Sequence, residues 1–359
     1  MLTYLTRRLL LMFPTLIGIT LLVFFVMALS PGSVTTMMRS ETGDMRPEER
    51  KRVEAYLRER YGLGDPLIVQ YGRWLNHISP VGAKAAGEGF PSSWRVGFKA
   101  PDLGQSFLRR RPVLGLVMDA LPITLLLNLI TIPIIYIIAI TSGIYAAKHR
   151  GKLIDIGSGV GFIALYSLPT IWVGVMFLGF FASRDYWQWF PTGGLHDINA
   201  DSMAFLPSYP GAVFQRGWLL DVLWHLVLPI VCLTYGGFAF LSKLMRSSVL
   251  ENLTADFART ARAKGLSDSV VLFRHVLANS VLPLITVAAG ILPGLLGGAL
   301  IVESIFSING MGRLMLEAIK TKDQELVLSI TFVSSLIGLL SVIIADICYA
   351  IVDPRVSYE

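Results

Sequence analysis

Several kinds of chemistry are missing from this sequence of 359 residues. It has two cysteines, Cys232 and Cys348, and both lie in apolar runs, where a thiol behaves as a small apolar side chain and offers no disulfide framework. No G-x-x-x-x-G-K-[S/T] phosphate loop occurs, so the chain lacks the usual means of hydrolysing ATP by itself. His225 has no histidine or carboxylate at metal-ligand spacing, and we interpret it as a structural residue. The sequence therefore predicts no catalytic, cofactor-binding or metal site of its own.

Charged residues are also scarce, at 16% of the chain, whereas hydrophobic residues make up 53%. The mean hydropathy is +0.61, far outside the range of a soluble domain. Six apolar runs are each long enough to cross a bilayer. They are about Leu9 to Leu29, Ile123 to Ala147, Ile156 to Ala182, Val222 to Met245, Ser280 to Val302 and Leu326 to Ile351. The sequence thus predicts an all-α polytopic membrane protein with six transmembrane helices.

Lysine and arginine in the short connections orient these spans, because cytoplasmic loops are enriched in them. One side carries Arg7 and Arg8, the turn from Lys148 to Lys152, the loop from Lys243 to Arg274, and Arg355. We expect that side to be cytoplasmic, together with both termini, since the number of spans is even. The net charge of +6 is then a topology signal and does not indicate nucleic-acid binding.

The N-terminal run is longer than the apolar core of a signal peptide, and it ends in a helix stop at Ser30-Pro31-Gly32. We therefore interpret residues 1–30 as a retained first transmembrane helix. Residues 31–112 follow as an extracytoplasmic segment, with short helices predicted over about 47–62 and from Leu67 to Ile78.

Residues 113–359 form the predicted core domain, with spans two to six. Pro133 is expected to kink the second span and Pro169 the third, while Pro122 is placed at the entrance of the second. The stretch from Asn76 to Ala100, rich in glycine and proline, is interpreted as an inserted loop.

One long polar, basic stretch, from Thr254 to Pro283, separates the fourth and fifth apolar runs. Gly265 is placed as the C′ residue of one helix, and Ser267 offers the N-cap of the next, which predicts a helix, a tight turn and a helix. Ala258, Ala261 and Gly265 follow i, i+3, i+7 spacing and form a ridge of small residues that another backbone could approach closely. A basic loop that only obeys the positive-inside rule is the alternative interpretation.

The letters R-T-A-R-A-K-G of this stretch, followed by Phe273-Arg274-His275, resemble the cytoplasmic loop of ATP-binding-cassette importer permeases. The resemblance is to the peptide branch, which carries dipeptides, oligopeptides or nickel. Arg259 and Thr260 stand where the general importer motif begins Glu-Ala, and Ala278 stands where that motif has a proline; the peptide branch shares these departures.

Other stretches along nearly the whole chain resemble the same branch. They are Tyr61 to Leu67, Asp102 to Phe107, Pro191 to Gly194, Glu303 to Gly312 and Val352 to Arg355. The enlarged outer segment and Gly236-Gly237-Phe238-Ala239 resemble the Yej-type oligopeptide and microcin C permeases most.

This resemblance implies a permease subunit of the bacterial inner membrane that lines half of a translocation path for peptides. It implies that a coupling loop over residues 246–279 contacts the ATPase. The implied contact residues are Phe257, Ala258, Arg259, Thr260, Ala261, Arg262, Ala263, Lys264, Gly265 and Leu266. The resemblance assigns no residue to the substrate path.

The implied partners are a second homologous permease, two cytoplasmic ATP-binding-cassette ATPase domains, an extracytoplasmic peptide-binding protein and the lipid bilayer. ATP and magnesium would be bound by the ATPase partners, and this chain would bind no cofactor and catalyse no reaction. Two rival classes stay open at this point. An ion-coupled carrier would need acidic residues at mid-membrane, whereas Asp346 lies near a span end, and an intramembrane serine hydrolase would need a serine and histidine within catalytic reach.

Overall fold

The computed structural model describes residues 2–29, 48, 55, 62, 65–84, 95–106, 109–209, 214–288 and 299–352. Helices dominate the described part of the chain. They are α1 (Leu2–Leu29), α2 (Leu67–Ile78), α3 (Val113–Lys148), α4 (Leu153–Ser167), α5 (Thr170–Ala182), α6 (Gly217–Thr254), α7 (Asp256–Ala263), α8 (Asp268–Ala288), α9 (Leu300–Ile305), α10 (Met311–Lys320) and α11 (Gln324–Val352). Two antiparallel strand pairs lie between α2 and α3: β1 (Val81–Lys84) with β2 (Arg95–Phe98), and β3 (Gln105–Ser106) with β4 (Arg111–Pro112).

Five of these helices are long and apolar enough to cross a membrane, and the broken pair α4 and α5 makes up to six. The all-α polytopic class is therefore confirmed. The second helix predicted for the polar stretch and the start of the fifth span form one helix, α8, and residues 289–298 lie outside the described residues. The helix predicted over 47–62 also falls almost wholly outside them.

The proline predictions have different outcomes. Pro169 breaks the third span, with α4 and α5 bent by 90°. Leu168 has φ −77° and ψ 125°, the extended conformation that a residue before proline prefers, so the helix stops there. Pro133 lies within α3, and the kink expected there stays a prediction. Pro122 also lies inside this helix, because α3 already begins at Val113.

The described chain forms two compact units, and one of them contains residues 2–119 and 315–336. Helix α2 has the predicted bounds and places Tyr71, Trp74 and Ile78 on one buried face. The Tyr71 hydroxyl lies 2.9 Å from Thr20 Oγ1 and donates to the Ile17 carbonyl at 3.1 Å, so α2 packs along α1. The strand pair β1 and β2 lies where the sequence predicted only an inserted loop.

In the same unit, Leu103, Ser106 and Arg109 contact residues at the last two helices. Ser106 Oγ donates to Asp323 Oδ2 at 2.5 Å, and Ser329 Oγ donates to the Leu103 carbonyl at 2.9 Å. Arg109 forms an ion pair with Glu317. Burial raises the pKa of Asp323, against the opposing effect of its hydrogen bonds to Ser106 and the Leu326 amide.

The other unit comprises the described residues among 120–314 and 337–352. A buried carboxylate organises one end of it: Glu303 is 0% exposed and accepts hydrogen bonds from Thr124 Oγ1 at 3.0 Å and from the Arg313 amide at 2.9 Å. Thr124 Oγ1 in turn accepts the Met311 amide at 2.8 Å, which caps the first turn of α10. A Cβ at Gly310 would lie 2.6 Å from both Glu303 and Thr124, so this turn requires glycine.

Candidate functional site

The polar stretch between α6 and α8 folds into the predicted helix, turn and helix. Helix α6 ends at Thr254, Ala255 is extended with φ −67° and ψ 154°, and α7 starts at Asp256, whose carboxylate in the first turn suits the positive end of the helix. Ser267 is the residue before α8, as predicted, although its side chain makes no capping hydrogen bond.

Gly265 ends α7 in the left-handed region, with φ +81°. The Leu266 amide donates to the Ala261 carbonyl at 3.3 Å, and the Gly265 amide donates to the Arg262 carbonyl at 2.9 Å. These two bonds define a Schellman motif with Gly265 at C′. The predicted position of Gly265 is confirmed, and the direction in which the chain leaves α7 depends on it.

Arg262 has a positioning role that its charge alone did not indicate. Its Nη1 donates to the Leu253 carbonyl at 3.1 Å, and its Nε donates to Asp268 Oδ1 at 3.3 Å. The side chain therefore connects the last turn of α6 with the first turn of α8.

The ridge of small residues does not face outward. Ala258 is 0% and Ala261 is 6% exposed, and both belong to a hydrophobic cluster of this chain that includes Val249 from α6 and Val271 and Val276 from α8. This corrects the expectation that the two alanines contact an ATPase. Their small side chains let α7 pack closely on its own neighbouring helices, and the apolar face of an amphipathic helix is the one that is buried.

The remaining predicted contact residues form an exposed surface, here called the loop surface. It consists of Phe257, Arg259, Thr260, Arg262, Ala263, Lys264, Gly265 and Leu266. Phe257 and Leu266 are each 39% exposed, and basic side chains surround them. The ion pair of Arg259 with Asp256, at 3.7 Å and largely exposed, contributes little stability. Exposed apolar groups with a polar, charged rim are typical of a protein-binding surface.

Helix α8 contains a π-helical stretch, Val271–Val276, after its first three residues. Its effect is to bury residues five positions apart on one face, since Val271 and Val276 are both 0% exposed. An ordinary α-helix would turn these two side chains to different faces. Sequence reasoning missed the π-helix, and the spacing of those two valines was the available signal.

The interpretation that His225 lacks a carboxylate neighbour is wrong. Asp221, one helical turn earlier on α6, lies 3.5 Å from His225 Nδ1, and both side chains are buried. Asp221 also accepts the Asp197 amide at 2.7 Å, which holds the preceding loop onto the helix. Among the described residues, no three His, Cys, Asp or Glu side chains come together as a metal site would require.

Comparisons with known proteins show the family to which the chain is similar. Residues 139–358 match the family described as binding-protein-dependent transport system inner membrane component, and residues 1–128 match the N-terminal region of such components. The chain is 34% identical to the oligopeptide transport system permease protein AppB of Bacillus subtilis, with full coverage of both chains. It is 32% identical to the inner membrane ABC transporter permease protein YejB of Escherichia coli O157:H7, over 99% of each chain. It is also 32% identical to the di/tripeptide transport system permease protein DppB of Pseudomonas aeruginosa, over the whole of both chains.

Proposed function

This chain belongs to the family of binding-protein-dependent transport system inner membrane components and is a membrane-spanning permease subunit, and we propose that its importer carries peptides. The support for the substrate is that the full-length relatives at 32–34% identity are named for oligopeptide or di/tripeptide transport. Membership of this family favours a permease subunit over the two alternatives left open by the sequence, an ion-coupled carrier and an intramembrane hydrolase.

The loop surface is the proposed contact with the ATPase. The observation that carries this proposal is the rigid setting of the surface: α7 is packed onto α6 and α8 through Ala258 and Ala261, and Arg262 connects the two flanking helices. Because closely packed helices move together, a displacement applied to the loop surface is transmitted to both membrane helices. That is what coupling ATP hydrolysis to transport requires.

The rest of the assembly follows from this role. The proposed partners are a second homologous permease, two cytoplasmic ATPase domains that bind ATP and magnesium, and an extracytoplasmic peptide-binding protein. Residues 1–30 would form the first span, 31–112 the extracytoplasmic segment, and 113–359 the core domain with the loop and both termini in the cytoplasm. The charge asymmetry of the connections supports this orientation.

The proposal is tested by comparing charge reversals at two exposed sites on the same proposed side of the membrane. Arg259→Glu lies in the loop surface, whereas Lys148→Glu, an exposed residue at the end of α3, lies outside it. Leu266→Ser adds the loss of an apolar contact without a change in charge.

We expect Arg259→Glu and Leu266→Ser to lose ATPase co-purification and peptide uptake, while Lys148→Glu keeps both. Wild-type uptake and co-purification in both loop-surface variants would contradict the proposed contact.

A further inference from the structure

The third span contains a break at which several backbone groups lack hydrogen-bond partners. Helix α4 ends at Ser167 and α5 begins at Thr170, with Leu168 and Pro169 extended between them and an angle of 90° between the helices. Such a break leaves carbonyls of the first helix and amides of the second without partners in their own helices.

Two contacts with α6 fix where the break lies along that helix. Near the start of α4, Asp155 forms a two-bond ion pair with Arg246, and at the break the Tyr235 hydroxyl donates to the Leu168 carbonyl at 2.7 Å. At 1.5 Å per residue, the break lies roughly 20 Å along α4 from Asp155. Since α4 follows directly on the basic turn that ends at Lys152, and the hydrocarbon core is about 30 Å thick, the break lies inside the membrane.

Only part of the backbone at the break is satisfied by this chain. Besides the bond from Tyr235, the Leu168 amide donates to the Leu165 carbonyl at 3.2 Å and the Val173 amide donates to the Pro169 carbonyl at 3.1 Å. Among residues 109–209, all of which are described, and their described neighbours, five backbone groups at the break have no hydrogen-bond partner. The carbonyls of Tyr166 and Ser167 accept no hydrogen bond, and the amides of Thr170, Ile171 and Trp172 donate none.

Three of these residues have exposed side chains, and the Tyr166 ring lies with its centroid 6.0 Å from that of Phe240 in α6. Tyr166 is 63% exposed, Ile171 55% and Trp172 53%. Hydrocarbon cannot satisfy open carbonyls and amides, and non-helical backbone at membrane depth is tolerated where it lines an aqueous cavity or is buried in protein. Lipid is therefore excluded as the material that contacts these open carbonyls and amides.

We propose that the break lines the translocation path and that its open carbonyls and amides bind the main chain of the transported peptide. This inference rests on the proposed function and supplies the substrate contacts that the sequence did not assign. Every peptide bond offers one donor and one acceptor whatever the side chain, so a site with both kinds of backbone group within a few residues recognises peptides without reading their sequence. The rings of Tyr166 and Trp172 add apolar contact beside these groups.

Single cysteines test the inference in the assembled complex. In a chain with Cys348→Ser, native Cys232, which is 3% exposed, gives the unreactive reference, and Lys148→Cys gives a water-exposed one. Ser167→Cys and Ile171→Cys are then treated with a charged thiol reagent, which reacts only where water reaches the thiol, in complexes without nucleotide and in complexes trapped with ATP and vanadate.

We expect both break cysteines to react in at least one of these states. A tripeptide is then supplied with the binding protein, at about ten times the Kd of the tripeptide for the complex. It should slow the reaction about tenfold, because the fraction of complexes with an unoccupied break falls by that factor. Absence of reaction in every state would mean that a partner protein covers the break, and reaction without protection would mean that water but no peptide occupies it; either result overturns the inference. Peptide uptake by the same variants is measured in parallel, so that failure of import, which would refute the proposed function, is seen separately from failure of labelling.

Discussion

Removing one charge from the ion pair between α4 and α6 is the perturbation for which the structure gives the clearest magnitude. Asp155 is 5% exposed, and its Oδ2 accepts Arg246 Nη2 at 2.8 Å and the Gly151 amide at 2.9 Å. Oδ1 accepts the Arg246 Nε. The substitution Asp155→Asn keeps the shape and the oxygen that can face Gly151, but leaves Arg246 without its counter-charge.

Breaking a buried ion pair from one side costs about 3–5 kcal/mol, because the other charge stays buried without a partner. The Arg246 side chain is 33% exposed, so water replaces part of the lost interaction. We therefore expect a loss near the lower end, about 3 kcal/mol, or roughly a hundredfold in the unfolding equilibrium.

The assay is unfolding of the purified chain in mixed micelles with increasing SDS, with Arg150→Ala, an exposed basic residue of the adjacent turn, as the matched control. Asp155→Asn should unfold at lower SDS than Arg150→Ala. The double variant Asp155→Asn with Arg246→Met should recover part of the loss, because both partners are then uncharged and no buried charge is left without a partner. Equal midpoints for Asp155→Asn and Arg150→Ala would refute the reasoning.

Three further predictions follow from single positions. At Gly265, where φ is +81° and a Cβ meets no atom within 4 Å, Gly265→Val should reduce uptake through backbone strain alone, and Gly265→Asn, which tolerates this conformation, should be much closer to wild type in uptake assays. Ala261→Leu should lower the thermal midpoint of the chain by overpacking its own core, at about 1–3 kcal/mol, even without ATPase present; an unchanged midpoint would contradict the inward placement. Because burial raises the pKa of Asp323 above its ordinary 3.8, the folded chain holds this proton more tightly, so folding stability gains as pH falls through the raised value; a melting series from pH 7 to 4 should show this gain in wild type and lose it in Asp323→Asn.

The parts of the fold that sequence predicted are those with a strong local signal. Long apolar runs require helices in a bilayer, and α2 has its apolar residues at helical spacing. Gly265 is followed closely by Ser267, a polar residue that suits an N-cap. Each of these elements could be recognised from residues that are neighbours in the chain. Pro169 also acted locally, through the residue before it.

The parts that sequence missed depend on residues distant in the chain or on which face a helix buries. Asp155 and Arg246 meet across two helices, and no spacing in the sequence joins them. From the sequence, the small residues of α7 could have packed in a groove of another protein or in the core of this chain. In the structure they pack against Val249, Val271 and Val276 of this chain. The pair of Asp221 and His225 is different, because its i, i+4 spacing was visible and was overlooked.

Uptake of a labelled peptide into proteoliposomes tests the central claim most directly. The vesicles contain this chain with its co-purified permease and ATPase partners, and the binding protein is present on the side opposite to ATP. The account predicts that peptide accumulates only with ATP and binding protein, that a proton or sodium gradient alone drives no uptake, and that Leu266→Ser abolishes accumulation. Accumulation driven by an ion gradient without ATP, or full accumulation with Leu266→Ser, would contradict it.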